Sequence, residues 1–136
     1  MPELPEVETV RRTLEELVVN KAIERVTVHL PRIIQAPESP NSFGEKLVGT
    51  RITAIGRRGK YLKIYCQPWV LISHLRMEGK YVVKNKAEEV EKHTHVIFHF
   101  TDGSELRYKD VRQFGTMDLR PRSEEHTSEL QSRSDL

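Results

Sequence analysis

Between Pro5 and about Val19 the apolar residues Val7, Val10, Leu14, Leu17 and Val18 recur at three- and four-residue spacing, the repeat of an amphipathic helix with one buried stripe. Beyond Asn20 the period shortens: Ile23, Val26, Val28 and Leu30 predict a strand, although Glu24, Arg25 and Thr27 alternate imperfectly with them. Pro31, Pro37, Pro40 and Asn41 give residues 31–42 a loop composition. A short helix is expected over Ser42 to Leu47, ended by Gly49. The rest reads as β: Arg51 to Gly56, Lys60 to Cys66, Val70 to Leu75, Gly79 to Lys84, His95 to Thr101 and Ser104 to Tyr108. Thr101-Asp102-Gly103-Ser104 is a hairpin turn, with Asp-Gly expected to supply the positive φ values of a tight two-residue loop. Lys86 to Lys92 is a charged connection expected to be mobile. Strands at short spacing behind one helix imply an α+β chain, mainly β: a β-sandwich with the N-terminal helix packed along it.

Composition narrows the class. The 136 residues suffice for one domain with a real core, and 37% apolar with 31% charged content suits a soluble globular chain. No apolar run approaches the ~18 residues of a membrane span, and the N-terminus lacks a signal-peptide pattern, so a cytoplasmic location and no membrane partner are expected. Cys66 is the sole cysteine. Among the apolar neighbours of a strand, it is expected to be a buried thiol rather than a reactive one.

A net charge of +2 does not by itself argue for nucleic acid, but its distribution is uneven. Residues 121–136 carry Arg122 and Arg133 against Glu124, Glu125, Glu129 and Asp135, a net of −2 that leaves +4 on the remainder. Much of that positive charge falls in Arg57-Arg58-Gly59-Lys60 and between Arg107 and Arg112, compatible with phosphate binding or with a solvated face.

The chemistry concentrates at the start. A Met before Pro2 is normally trimmed, which leaves a secondary amine of roughly pKa 8, so a useful fraction is unprotonated near neutrality. Such an amine condenses with a sugar C1′ centre to a cationic iminium, an electron sink needing no further proton. Glu3 adjoins it and can deliver a proton, and Glu6 follows one helical turn on. The plainer role for Pro2, Pro5, Glu3, Glu6 and Glu8 is to start a helix and complement its dipole.

The runs Met1 to Arg12, Gly59-Lys60-Tyr61-Leu62, His74-Leu75-Arg76-Met77-Glu78-Gly79, His93-Thr94-His95-Val96 and Tyr108-Lys109-Asp110-Val111-Arg112-Gln113-Phe114-Gly115 occur in order. Together they resemble the N-terminal domain of bacterial formamidopyrimidine-DNA glycosylase, from residue 1 to about residue 120. The resemblance implies a base-excision repair glycosylase with apurinic-site lyase activity, acting as a monomer on damaged double-stranded DNA and removing oxidised purines such as 8-oxoguanine and formamidopyrimidines. It implies Pro2 as nucleophile, Glu3 as proton donor in deoxyribose ring opening, and Lys60 in β-elimination and phosphate neutralisation. His74, His93 and Arg112 are implied as DNA contacts. Met77, Arg112 and Phe114 would fill the space left when a nucleotide leaves the duplex, an extrusion costing a few kcal/mol. The sister branch, endonuclease VIII, also begins Pro-Glu; Leu4 and the Met77/Arg112/Phe114 set favour the purine branch.

Residues 121–136 lack periodicity and resemble nothing in that family, and are expected to be a disordered or foreign tail. The family's helix-two-turn-helix element and four-cysteine zinc finger are expected to be absent from this chain. Zinc, the family's metal, therefore has no ligand set here, and activity is expected to be impaired. His93, His95 and His99 would share one strand face by alternation, but no carboxylate accompanies them and a metal site is not favoured. The competing reading is a non-catalytic β-sandwich that binds DNA weakly or another protein.

Overall fold

In the computed structural model, residues 4–37 and 39–124 are described, and they form two α-helices and nine strands. Helix α1 (Leu4–Val18) buries Val7, Leu14 and Val18. Val10 is half-buried against the core, whereas Leu17 lies at the edge of the stripe and is 46% exposed. The strands are β1 (Ile23–Val28), β2 (Ile34–Ala36), β3 (Ala54–Arg58), β4 (Tyr61–Cys66), β5 (Trp69–His74), β6 (Lys80–Asn85), β7 (Thr94–Phe100), β8 (Ser104–Lys109) and β9 (Thr116–Pro121). Helix α2 (Pro40–Leu47) starts earlier than expected because Ser39 caps it, its hydroxyl accepting from Ser42 N.

One sheet has the order β1-β7-β8-β6 and the other β2-β9-β5-β4-β3. Phe43, Leu47, Leu62, Ile64, Phe98 and Leu106 belong to the single core they share, and α1 packs along β3 and β4. The architecture is the β-sandwich with a packed N-terminal helix that the periodicity implies.

Three local expectations change. The supposed loop over 31–42 contains a 3-10 turn (Pro31–Ile33) and β2, which pairs in parallel with β9. β9 is not among the strands expected above, yet it sits inside its sheet between β2 and β5. The hairpin after Phe100 has a three-residue loop: Gly103 N donates to Phe100 O and only Gly103 takes a positive φ, of 90°. That is a turn followed by one left-handed glycine rather than a two-residue loop.

Register places the ends of many strands together. Tyr61 pairs with His74, and His74 with Thr116, so the β3–β4 turn, the end of β5 and the start of β9 share one edge of their sheet. In the other sheet Lys109 pairs with both Lys80 and Thr94.

Candidate nucleic-acid interface at one end of the sandwich

Pro2 and Glu3 lie outside the described residues, and α1 enters at Leu4. Glu6, in its first turn, is exposed. What holds this end of α1 is Glu8, whose carboxylate accepts from Arg11 (2.7 Å), Arg12 (3.0 Å) and Arg57 (2.9 Å). Those guanidinium hydrogen bonds, Arg11 first and then Arg57, pull the Glu8 carboxyl far below the usual carboxylate range. Arg57 in turn donates to Gly59 O at 2.8 Å. The turn bearing Lys60 is thereby tied to the first turns of α1. Gly59 has φ 59°, a conformation glycine adopts without penalty, and Lys60 is half-buried after it.

Across the edge, the Tyr61 and His74 rings meet edge to face, with centroids 4.6 Å apart. His74 Nδ1 accepts from Arg76 N at 3.0 Å, so the ring closes the turn after β5. Burial, with the positive charges of Arg76 and Lys60 added, lowers the His74 pKa below its ordinary value. The neutral imidazole is thereby favoured over the imidazolium.

Two loops project beyond this edge. The first runs from Leu75 to Gly79, closed by Gly79 N donating to Leu75 O at 2.9 Å, and leaves Met77 44% exposed. The second runs from Asp110 to Gly115 and leaves Phe114 53% exposed. Arg112 Nε lies 3.7 Å from Glu78 Oε2, an exposed ion pair that bridges the loops. The exposure of Met77 and Phe114 on adjoining loops excludes a core-packing role for either. Gln113, with φ 63°, is engaged by Arg32 from the 3-10 turn.

His93 precedes β7 rather than lying on it, is exposed with φ 66°, and its carbonyl accepts from Asp110 N at 3.0 Å. With Lys80, Lys92, Lys109, Glu78 and Glu91 it lines an open groove of about 290 Å³. The three histidines do not share a face. A bulge between Thr94 and Val96 breaks the alternation; His95 is buried with Nε2 2.7 Å from Asp110 O, and His99 sits between Thr27 and Glu105. Among the described residues no group of three His, Cys, Asp or Glu could hold a metal. Cys66 is buried in β4, and burial pushes its thiol up to about 12. The residues described therefore do not fit a zinc site.

The sequence profile of the formamidopyrimidine-DNA glycosylase N-terminal domain matches residues 1–117. The chain belongs to this family. It is 60% identical over 127 residues to the formamidopyrimidine-DNA glycosylase of Brevibacillus brevis, covering 93% of this chain and 46% of that protein. It is 58% identical over 127 residues to the enzyme of that name from Bacillus licheniformis, with the same coverage. Two structures of Lactococcus lactis Fpg, one with DNA containing FAPY-dG and one with DNA containing an abasic site, superpose with TM-score 0.89 at 40% identity, covering 95% of this chain and 48% of theirs. The chain thus spans about half the length of the relatives it matches.

For this family member, the sequence reading names Lys60, His74, Met77, His93, Arg112 and Phe114, and all six lie toward the end of the sandwich where α1 begins. It does not anticipate that Glu8 and Arg57 tie α1 to the Lys60 turn, or that Tyr108 and Asp110 anchor the second loop. Glu8, three residues before Arg11 and four before Arg12, carried a helical ion-pair signal; its link to Arg57 had none, because the partner lies on a different element.

Proposed function

We propose that this chain carries the catalytic N-terminal part, residues 1–120, of a base-excision repair DNA glycosylase and apurinic-site lyase acting on oxidised purines in duplex DNA. The observation that carries the reading is convergence: the start of α1, the Lys60 turn, His74 and the Met77 and Arg112/Phe114 loops meet at one end of the molecule. A covalent nucleophile, cations that neutralise phosphate and side chains that fill a void are the set that drawing a nucleotide out of the helix requires.

In this reading, loss of Met1 exposes the Pro2 nitrogen, which attacks C1′ as the bond from C1′ to the damaged base breaks and the base leaves with a proton. Glu3 protonates the ring oxygen as the C1′–O4′ bond opens, leaving an iminium between Pro2 and C1′. The iminium acidifies C2′; removal of a C2′ proton expels the 3′ phosphate, and a second elimination expels the 5′ phosphate. Lys60 assists the first elimination and neutralises a phosphate beside the sugar. His74, His93 and Arg112 hold DNA, and Met77 and Phe114 occupy the vacated stack. Glu6, exposed in the first turn of α1, is assigned to proton handling in this chemistry.

Borohydride reduction in the presence of an abasic duplex tests this. A covalent adduct is expected with the mature N-terminus and not with a version extended ahead of Pro2, where the nitrogen is an amide; Lys60→Ala is expected to slow strand cleavage by on the order of 10²-fold. Equal trapping by the extended chain, or none by either, overturns the reading. Duplex binding without trapping would instead support the non-catalytic module.

A further inference from the structure

The two exposed loops are joined underneath by a buried pair that the proposed chemistry does not use. Tyr108 and Asp110, both on the chain leading from β8 into the second loop, are each only 1% exposed. The Tyr108 hydroxyl donates to Asp110 Oδ2 at 2.9 Å, and Gly115 N donates to the same oxygen at 2.8 Å. Gln113 N donates to Oδ1 at 3.0 Å. The carboxylate thus gathers two amides of the loop that displays Arg112 and Phe114.

The other loop touches the same hydroxyl. A Cβ built on Gly115 would fall 1.7 Å from Tyr108 Oη, and one on Gly79 would fall 2.6 Å from it and 2.6 Å from Leu75 O. The hydroxyl is therefore clasped between a glycine from each loop, at contacts no other residue leaves room for. The ring cannot retreat easily: Tyr81 packs on it at 5.2 Å and donates its own hydroxyl to Ser73 at 2.7 Å. Asp110 is also held by its main chain, which donates to His93 O and accepts from His95 Nε2. A buried carboxylate without such donors would be costly; here its acceptors are used to shape one loop while its phenol partner limits the other.

We propose that Tyr108 and Asp110 form a positioning latch that locks the Met77 loop and the Arg112/Phe114 loop into one wedge, set before DNA arrives. The inference rests on the reading of the chain as a base-extruding glycosylase domain. The latch touches no reacting atom. Its loss penalises opening of the duplex, not condensation of Pro2 with a sugar that is already accessible.

The test compares borohydride trapping on an abasic duplex and on the same abasic strand without its complement, for the wild-type chain, Tyr108→Phe, Gly115→Ala and the double variant. Tyr108→Phe removes one buried hydrogen bond and is expected to lower duplex trapping about tenfold while changing single-strand trapping less than about twofold. Gly115→Ala is expected to cost more on the duplex, and Tyr108→Phe to recover part of that loss, because it deletes the oxygen that the new methyl group strikes. Equal losses on both substrates, no loss on the duplex, or strictly additive losses overturn the latch. Amide hydrogen exchange gives an independent readout. In Tyr108→Phe the Gly79 and Gly115 amides should lose protection together while those of Val96 and Leu106 keep it; unchanged protection at Gly79 overturns the latch. Failure of the wild-type chain to trap either substrate would sink the glycosylase reading, and the exchange result would then decide the latch alone.

Discussion

At the scale of single residues, environment rather than residue type decides the chemistry. The sequence marks His74 only through its place in a motif, and burial beside Arg76 and Lys60 lowers its pKa. Lys60→Ala removes one of those charges, so the His74 titration measured by NMR should move up toward the ordinary value of 6.5. An unchanged midpoint would mean that the two side chains do not sense each other. Cys66 illustrates the same rule without function. With its thiol pushed up to about 12 by burial, it should resist iodoacetamide at pH 8 in the native chain and react once the chain is unfolded in urea. Labelling at equal rates in both states would contradict its place in the core.

At the scale of elements, α1 and the longer strands were legible because each buries a stripe that repeats at its own period. β2 was not, since Ile34-Gln35-Ala36 between prolines carries no pattern long enough to read; its strand geometry comes from pairing with β9. β9 did carry a signal, as Met117 and Leu119 alternate with Thr116, Asp118 and Arg120 and are the buried pair, but it follows directly on the loop motif that draws attention to chemistry. Its place inside the sheet makes a firm prediction. Met117 is fully buried, so Met117→Ala should destabilise the chain by about 2–5 kcal/mol in urea melts. A cost under about 1 kcal/mol would show that β9 is dispensable, contrary to its pairing on both sides.

At the scale of the whole molecule, pH and salt report the sum of these environments. His74 and His99 both have folded pKa values lowered below 6.5, in each case chiefly by burial. Below 6.5 the unfolded chain binds protons that the folded chain does not, so stability falls as pH drops from about 6.5 through the folded values. Glu8, Glu91 and Asp102 are lowered by their cationic partners, Arg11 and Arg57, Lys109, and Lys21 respectively. Their contribution is present above the ordinary carboxylate range and is lost only at more acid pH. Urea midpoints should therefore decline in two stages, the first setting in as pH falls below about 6.5 and the second below about pH 4.5; a profile with no decline before the carboxylate range would contradict the histidine assignment. If the basic end of the sandwich engages about three phosphates, the logarithm of duplex affinity should fall with the logarithm of salt at a slope near −3, and a slope near zero would remove DNA as the partner of that face.

The linear order of residues determined the helix, most of the strands and the chemical inventory, because periodicity and short motifs are local properties of a chain. It could also name Lys60, His74, Met77, His93, Arg112 and Phe114 one at a time. Only the tertiary structure decided that these positions share one end of the sandwich, that Glu8 and Arg57 fasten the Lys60 turn to α1, and that a single buried hydroxyl touches both projecting loops. Such facts follow from strand register and close packing between segments up to dozens of residues apart, and no local pattern encodes a distance across a core.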